Sequence, residues 1–311
     1  SGTYLNKYLN ARLVKVHHGW RFKKRVHEYL APPPNLPATT INNRPNTSEE
    51  VVLYQNRNDD DDKTRKRFTR DKAFLEADLK EFNDTRDMFY LAQTLSCLSE
   101  FDESIKLYQR RGEIMEGFWE ERFHSYLRSA ELYITKKGDL ELGIANYFKA
   151  AMIDFRAEPL TALGKIFRDR QDFLLAYTFL NSACQLSFPT QNILFVSELD
   201  YTYDRWQQLS IVAYYVNKFT EGKHALEMAR KENRDMEAHK QNEEFYTKAE
   251  KDKVPETELF DPEETPEEIL QLQGEFLKTA KDAFDNKDVD TGIIKLLQAF
   301  QLTRRITPLL M

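Results

Sequence analysis

Residues 89–108, FYLAQTLSCLSEFDESIKLY, contain the pattern that decides the fold of this chain. Apolar residues recur at three- and four-residue intervals on both sides of a short polar turn, as in two amphipathic helices joined closely. Three weaker copies follow, in which Leu140, Phe173 and Phe219 open the second helix as Phe101 does in the first copy. The intervals between these four positions are 39, 33 and 46 residues. They predict an array of paired helices.

This arrangement resembles the tetratricopeptide (TPR) repeat, a helix pair of about 34 residues. Each copy carries a small residue in its first helix, which allows close helix approach. These residues are Ala92, Ala130, Ala162 and Ala213. We therefore expect a mainly α fold, a TPR-like α-α superhelix of stacked helix pairs, with a short β-containing N-terminal segment.

Changes in composition divide the chain into four parts. Residues 1–57 contain strand-like runs and a Pro-rich loop, which predicts a β and loop remnant of a larger domain plus a linker. Residues 58–252 hold the helical repeats, opening with an amphipathic helix at Lys63–Phe82. Residues 253–266 are interpreted as an acidic, Pro-containing linker, and residues 267–311 as a C-terminal helix pair.

Net charge and hydropathy argue against several classes of function. The formal net charge is −6 and the pI is about 5.7, so nucleic acid is not expected as a partner. No apolar run approaches the roughly 18 residues that span a bilayer, so no membrane span is expected. Cys97 and Cys184 lie in apolar helical runs and are interpreted as buried free thiols, which suits a cytoplasmic location.

Residues 12–30, RLVKVHHGWRFKKRVHEYL, suggest chemistry. This string, with the order of segments that follows it to about residue 230, resembles the closing part of bacterial and viral family 2 glycosyltransferases. The resemblance implies a parent enzyme of GT-A fold that transfers a sugar from a nucleotide-sugar donor with a divalent metal such as Mn²⁺ or Mg²⁺. It also implies that His27 is a metal ligand, that Glu28 takes a proton from the acceptor or orients His27, and that Trp20 stacks on a sugar.

The rest of such an enzyme is not found in these 311 residues. A nucleotide-binding α/β domain needs about 100 residues before the helices, and no Gly-rich phosphate loop occurs. We therefore expect this chain alone to hold no cofactor and to be inactive. The prediction is a C-terminal helical-repeat portion of a transferase that serves acceptor binding, scaffolding or dimerisation. Its expected partners are a protein or glycan acceptor, or a second copy of the chain.

An alternative from another class is a free-standing TPR adaptor that binds a peptide or protein partner in its groove. A metal enzyme built on His17, His18, His27 and Glu28 is disfavoured, because adjacent residues on a strand point to opposite faces.

Two further segments attract a functional interpretation. Asp59–Asp62 contain the D-x-D of nucleotide-sugar enzymes, but acidic residues before a helix are explained by its positive N-terminal end, with Asp61 or Asp62 as the cap. The long interval before Phe219 predicts an insertion that projects from one face of the stack. Within it, Tyr203 and Trp206 are the candidate substrate-binding residues.

Overall fold

The computed structural model describes residues 19–31, 33, 61–252 and 254, together with isolated positions between 271 and 295. Within these residues a β-hairpin precedes ten α-helices. Contacts divide the chain into two units. Unit 1 comprises Ser1–Asp154 and Thr190–Val196, and unit 2 comprises Phe155–Pro189 and Ser197–Met311.

The described residues of unit 1 form the hairpin and then five helices. Strands β1 (Arg21–Lys23) and β2 (Tyr29–Ala31) are antiparallel, with Phe22 opposite Leu30. The helices are α1 (Asp61–Phe82), α2 (Thr85–Cys97), α3 (Phe101–Glu113), α4 (Trp119–Leu132) and α5 (Leu140–Ile153). A π-helical turn, Tyr133–Lys137, extends α4. Each helix packs against the next.

Unit 2 contains the other five helices. They are α6 (Ala157–Asp169), α7 (Phe173–Cys184), α8 (Arg205–Tyr215), α9 (Phe219–Arg230) and α10 (Met236–Lys251). A π-helical turn, Asp200–Asp204, leads into α8. Helix α10 buries His239, Tyr246 and Ala249 on one side, and its exposed residues are mostly charged, with Met236 and Phe245 as apolar exceptions.

The predicted repeat phase is confirmed. Each residue expected to open a second helix is the first residue of one: Phe101 of α3, Leu140 of α5, Phe173 of α7 and Phe219 of α9. Each of these helices packs against the helix before it. The mainly α fold with TPR-like helix pairs and a short N-terminal β segment is therefore confirmed.

Close helix approach occurs at most of the predicted small residues. Ala92, Ala130 and Ala213 are fully buried. Ala162 is only half-buried, so the prediction is wrong at that position. Two residues later, Gly164 makes the close approach, since a Cβ atom there would lie 2.4 Å from Cγ of Leu180.

A second set of small residues, not anticipated from the sequence, lies at the fourth position of every second helix. The set is Ser104, Gly143, Ala176 and Gly222, and all four are buried. The hydroxyl of Ser104 donates a hydrogen bond of 2.7 Å to the carbonyl of Ala92. A Cβ on Gly143 would lie 3.3 Å from the carbonyl oxygen of Ala130. In these two pairs, the small residues of the two helices face each other.

Several boundaries differ from expectation. Helix α1 begins at Asp61 rather than Lys63, so Asp61 and Asp62 belong to the helix instead of capping it. Cys184 is buried as predicted, but Cys97 is exposed because α2 ends there.

Some predicted segments lie outside the described residues. Residues 253–266 and the helix pair at 267–311 fall there almost entirely, as do His17, His18 and Asp59. Over the part of the chain that the structure describes, no helix is both long and apolar enough to cross a membrane.

Candidate functional site

The turn of the N-terminal hairpin presents four consecutive side chains, Lys24 to His27, to helices α1 and α2. We call these four residues the hairpin clamp. The turn is made possible by left-handed backbone at Lys24 (φ 76°) and His27 (φ 52°). Between them Val26 packs against the apolar core of unit 1. The clamp thus joins the two strands to the first helices of the repeats.

Lys24 holds two carboxylates at the start of α2. Its Nζ lies 2.6 Å from Oδ2 of Asp84 and 2.6 Å from Oδ2 of Asp87. Burial acts to lower the pKa of Lys24, but the hydrogen bonds to the two carboxylates outweigh it and raise the pKa. Burial acts to raise the pKa of Asp84, yet bonds from Lys24 and from the Arg86 backbone N–H lower it. For Asp87, which is 2 % exposed, burial prevails and the pKa is raised.

Asp84 also caps α2, because its side chain accepts from the N–H of Arg86 at 2.9 Å. Asp87 lies within the first turn of that helix, where a negative charge is favoured by the helix dipole. The Lys24 ammonium lies between the two carboxylates and attracts both of them.

Arg25 makes the second ionic contact, to α1. Its Nη1 lies 2.7 Å from Oδ1 of Asp78, and its Nη2 lies 3.4 Å from Oε2 of Glu81. The Asp78 side chain is 3 % exposed, whereas Arg25 and Glu81 are about half exposed. The buried Asp78 is the stronger reason for the hairpin to stay docked, since exposed ion pairs contribute little.

His27 stacks its ring on Tyr90 of α2, with ring centroids 3.8 Å apart and an interplanar angle of 15°. His27 keeps part of its surface in solvent, but desolvation of the ring, with the positive charge of Arg86 as a second cause, lowers the pKa of His27 to about 4. Its backbone carbonyl accepts from Nη2 of Arg86 at 3.2 Å. The imidazole is therefore neutral at pH 7. Glu28, beside it, is exposed.

Arg86 continues the polar contacts from the hairpin into the helices. Its Nη1 lies 3.6 Å from Oε1 of Glu121 on α4, and Glu121 in turn accepts from Nε of Arg111 at 3.2 Å. Both Glu121 and Arg111 are almost completely buried. Burial raises the pKa of Glu121 and lowers that of Arg111 despite their attraction. The presence of this buried pair is therefore weak evidence for stability, because desolvation of both charges offsets their attraction.

The other predicted site residues lie in different surroundings. Trp20 is half-buried, and its carbonyl accepts from Arg21 at 2.9 Å. Tyr203 is buried, and its hydroxyl donates to Oδ2 of Asp235 at 2.6 Å. Trp206 is half-buried and packs against His224 edge to face, with centroids 5.7 Å apart. Tyr203 is thus part of the buried core of unit 2, and little of its side chain is accessible to a substrate.

The described residues do not complete the metal site that the transferase resemblance implies. Among them, no group of three or more His, Cys, Asp or Glu side chains is placed to hold a metal ion. His27 and Glu28 are chain neighbours, and one face of the His27 ring is covered by Tyr90. A metal held by His27 would need carboxylates from outside these residues.

A second polar site lies on α4, and the sequence did not indicate it. Glu120 is 2 % exposed and accepts the backbone N–H groups of Ile193 and Leu194, at 3.1 and 2.8 Å. One turn along α4, Nε2 of His124 is 2.7 Å from the carbonyl oxygen of Leu194. The two side chains thus bind the backbone of residues 190–196 from the same helix face.

Phe195, in the segment 190–196, packs its ring against residues of α2 and α4. Phe195 lies edge to face with His124, with centroids 5.5 Å apart, and its ring centroid is 6.5 Å from that of Phe89. The side chain of Asn192 donates to Oδ2 of Asp154 at 2.8 Å. The insertion predicted to project from the stack therefore packs onto unit 1 at residues 190–196, because Glu120 and His124 satisfy its backbone.

Comparison with known proteins carries no argument about the fold or the function of this chain. No protein-family model matches the sequence, and no curated protein matches it. Among solved structures, the chain is similar to the C-terminal part of a TPR repeat-containing protein from Cytophaga hutchinsonii, with 13% identity and a TM-score of 0.39. The match covers 80% of this chain and 94% of that one. Because this score is low, the description of the repeats rests on the helix pairing itself.

Proposed function

We propose that this chain is the helical-repeat portion of a family 2-like glycosyltransferase, in which the repeats form a scaffold that holds a protein or glycan acceptor beside the catalytic domain. The resemblance of residues 12–30 to a transferase terminus motivates the proposal. The hairpin clamp is the single observation that carries it. Four consecutive side chains dock this segment on α1 and α2, so a domain that ended in the hairpin would be held firmly against the repeats.

The chemistry of the clamp favours a fixed junction over a flexible linker. The buried partners Asp78 and Asp87 are left without their cations if the hairpin detaches. Leaving a buried charge unpaired costs about 3–5 kcal/mol, although solvent would reach these carboxylates and reduce that figure. Under the proposal His27 is a positioning residue of this junction, and a role as metal ligand requires the catalytic domain to supply the remaining donors.

The test uses the chain and the longer protein in which an upstream catalytic domain is expected. Lys24→Met with Arg25→Met removes the clamp cations, and Arg21→Met with Lys23→Met removes two exposed charges from β1 as the matched control. The clamp variant should release the hairpin, so the NMR titration midpoint of His27 should move from about 4 towards about 6.5. The control should leave this midpoint unchanged.

Activity separates the proposal from its competitors. The longer protein should transfer sugar from a nucleotide-sugar donor, and the clamp variant should lose at least about tenfold in acceptor turnover while retaining donor hydrolysis. The 311-residue chain alone should do neither. Donor hydrolysis by this chain alone, or full acceptor turnover after release of the hairpin, would refute the scaffold role.

The alternative function is a TPR adaptor that binds a peptide partner. The specific observation in its favour is that α2 and α4 already bind a non-helical segment, residues 190–196. The upstream coding sequence discriminates the two functions, because an adaptor has no use for a docked transferase terminus. An upstream region without an α/β domain would favour the adaptor.

A further inference from the structure

Residues 190–196, in the loop between α7 and α8, belong to unit 1 and contact its helices as a bound peptide would. Residues 185–197 form no helix or strand, and irregular connections of this length in compact domains usually have a function. From it, residues 190–196 lie in unit 1. Their contacts are made by α2 and α4, which are the first helices of two successive pairs.

The contacts define the chemistry of a ligand. The carboxylate of Glu120 accepts the backbone N–H groups of Ile193 and Leu194, and the ring of His124 contacts the backbone carbonyl of Leu194. The following residue, Phe195, contributes a half-buried ring. Residues 189–197 contain no charged side chain. A ligand of this surface is thus an uncharged, non-helical segment that ends in an aromatic anchor.

Residues 190–196 bury less of their apolar surface than residues of a hydrophobic core do. The side chain of Ile193 is 66 % exposed, and Leu194 and Phe195 are only half-buried. Phe195 also has left-handed backbone (φ 45°), which costs an L-residue about 1–2 kcal/mol. The attachment of this segment rests on backbone hydrogen bonds to Glu120 and His124, on the bond from Asn192 to Asp154, and on two half-buried side chains, Leu194 and Phe195. Few buried apolar contacts are typical of a segment that opens locally.

We infer that the surface of α2 and α4 around Glu120 and His124 is a peptide-binding site, occupied in cis by residues 190–196, and that its partner in trans is a protein segment with an uncharged stretch followed by an aromatic residue. A partner of this kind binds when the cis segment opens. The inference goes beyond the scaffold role, and its site is separate from the hairpin clamp, so the two can fail independently.

The experiment measures binding of a fluorescent peptide with the sequence of residues 190–196 to the full chain. In the chain variant Leu194→Pro with Phe195→Ala, the cis segment loses the N–H that Glu120 binds and its aromatic anchor. Apparent affinity scales with the fraction of open sites, so a site that is open about 1–10% of the time should bind the peptide about 10- to 100-fold more tightly in this variant than in the wild type. Glu120→Gln added to the variant should reverse most of that gain.

Two controls keep the result interpretable. A peptide carrying proline at the position of Leu194 should bind no better than background to any variant, and circular dichroism should show that each variant retains its helices. In the wild type, the amides of Ile193 and Leu194 should exchange with deuterium at a lower opening free energy than the amides of α4. Equal peptide affinity in wild type and variant, no binding by the folded variant, or exchange of these amides only together with α4 would each overturn the inference.

Discussion

The substitution Gly164→Ala sets two effects of similar size against each other, and the structure decides which prevails. Alanine is about 1 kcal/mol better than glycine in the middle of a helix. The new Cβ atom would lie 2.4 Å from Cγ of Leu180, more than 1 Å inside an ordinary carbon contact of about 3.5–4 Å. Leu180 is fully buried on α7, so it can give way only by displacing the residues around it. Overpacking costs about 1–3 kcal/mol, and an overlap of more than 1 Å corresponds to the upper part of that range, about 2–3 kcal/mol. After subtracting the gain in helix propensity, we expect a net loss of about 1–2 kcal/mol.

The same substitution should change sign when the obstacle is removed. Leu180→Ala alone should destabilise the protein by about 2–5 kcal/mol through lost burial and a cavity. In that background Gly164→Ala meets no clash and gains the helix propensity, so it should stabilise by about 1 kcal/mol. The double-mutant cycle therefore predicts a coupling of about 2–3 kcal/mol between the two positions.

Urea unfolding, followed by far-UV circular dichroism and by tryptophan fluorescence, measures these free energies. Trp206 lies on α8 in the same unit as Gly164 and reports its unfolding. The matched control is Gly274→Ala, since Gly274 is helical and none of the residues that the structure describes lies within 4 Å of an added Cβ there. This control should not destabilise the protein. A stabilising Gly164→Ala in the wild type, or the same effect in both backgrounds, would show that the close packing of α6 on α7 has been misread.

Two further predictions concern unit 2. Burial raises the pKa of Asp200 to about 6. The folded state therefore binds a proton at this carboxyl more tightly than the unfolded chain does. The stability that the protonated group contributes is present at pH 4 and is lost as the pH rises through 6. Asp200→Asn should therefore raise the unfolding free energy by roughly 2 kcal/mol at pH 7.5 and leave it unchanged at pH 4, and a gain that is the same at both pH values would contradict this. The guanidinium of Arg205 donates to the carbonyls of Ala183 and Leu186 at 2.6 and 2.7 Å. Arg205→Met should therefore lower the free energy of thermal unfolding by about 1–3 kcal/mol. Arg170 is exposed, so Arg170→Met should change this free energy by less than about 1 kcal/mol.

His27 and Glu120 illustrate how much of the candidate site could be predicted from the sequence. The sequence pointed to the segment that contains His27, but it predicted strands at residues 12–16 and 51–54, which lie outside the described residues, and it did not predict the strands Arg21–Lys23 and Tyr29–Ala31. That Lys24 and Arg25 bind α1 and α2 could not be predicted, because their partners lie more than fifty positions away in the chain. Glu120 looks like any acidic residue in the first turn of a helix. Only its contact with Leu194 shows that it binds a backbone.

The amino-acid sequence by itself determined the helix pairs and their phase, because helix periodicity and turn residues act over a few positions, and all four second helices begin where the pattern placed them. Tertiary structure alone decided which small residues make the close contacts, as the exchange of Ala162 for Gly164 shows. It also decided that residues 190–196 pack on α2 and α4 instead of projecting. Contacts between residues far apart in sequence depend on shape and burial in three dimensions, and those are not encoded in any local pattern.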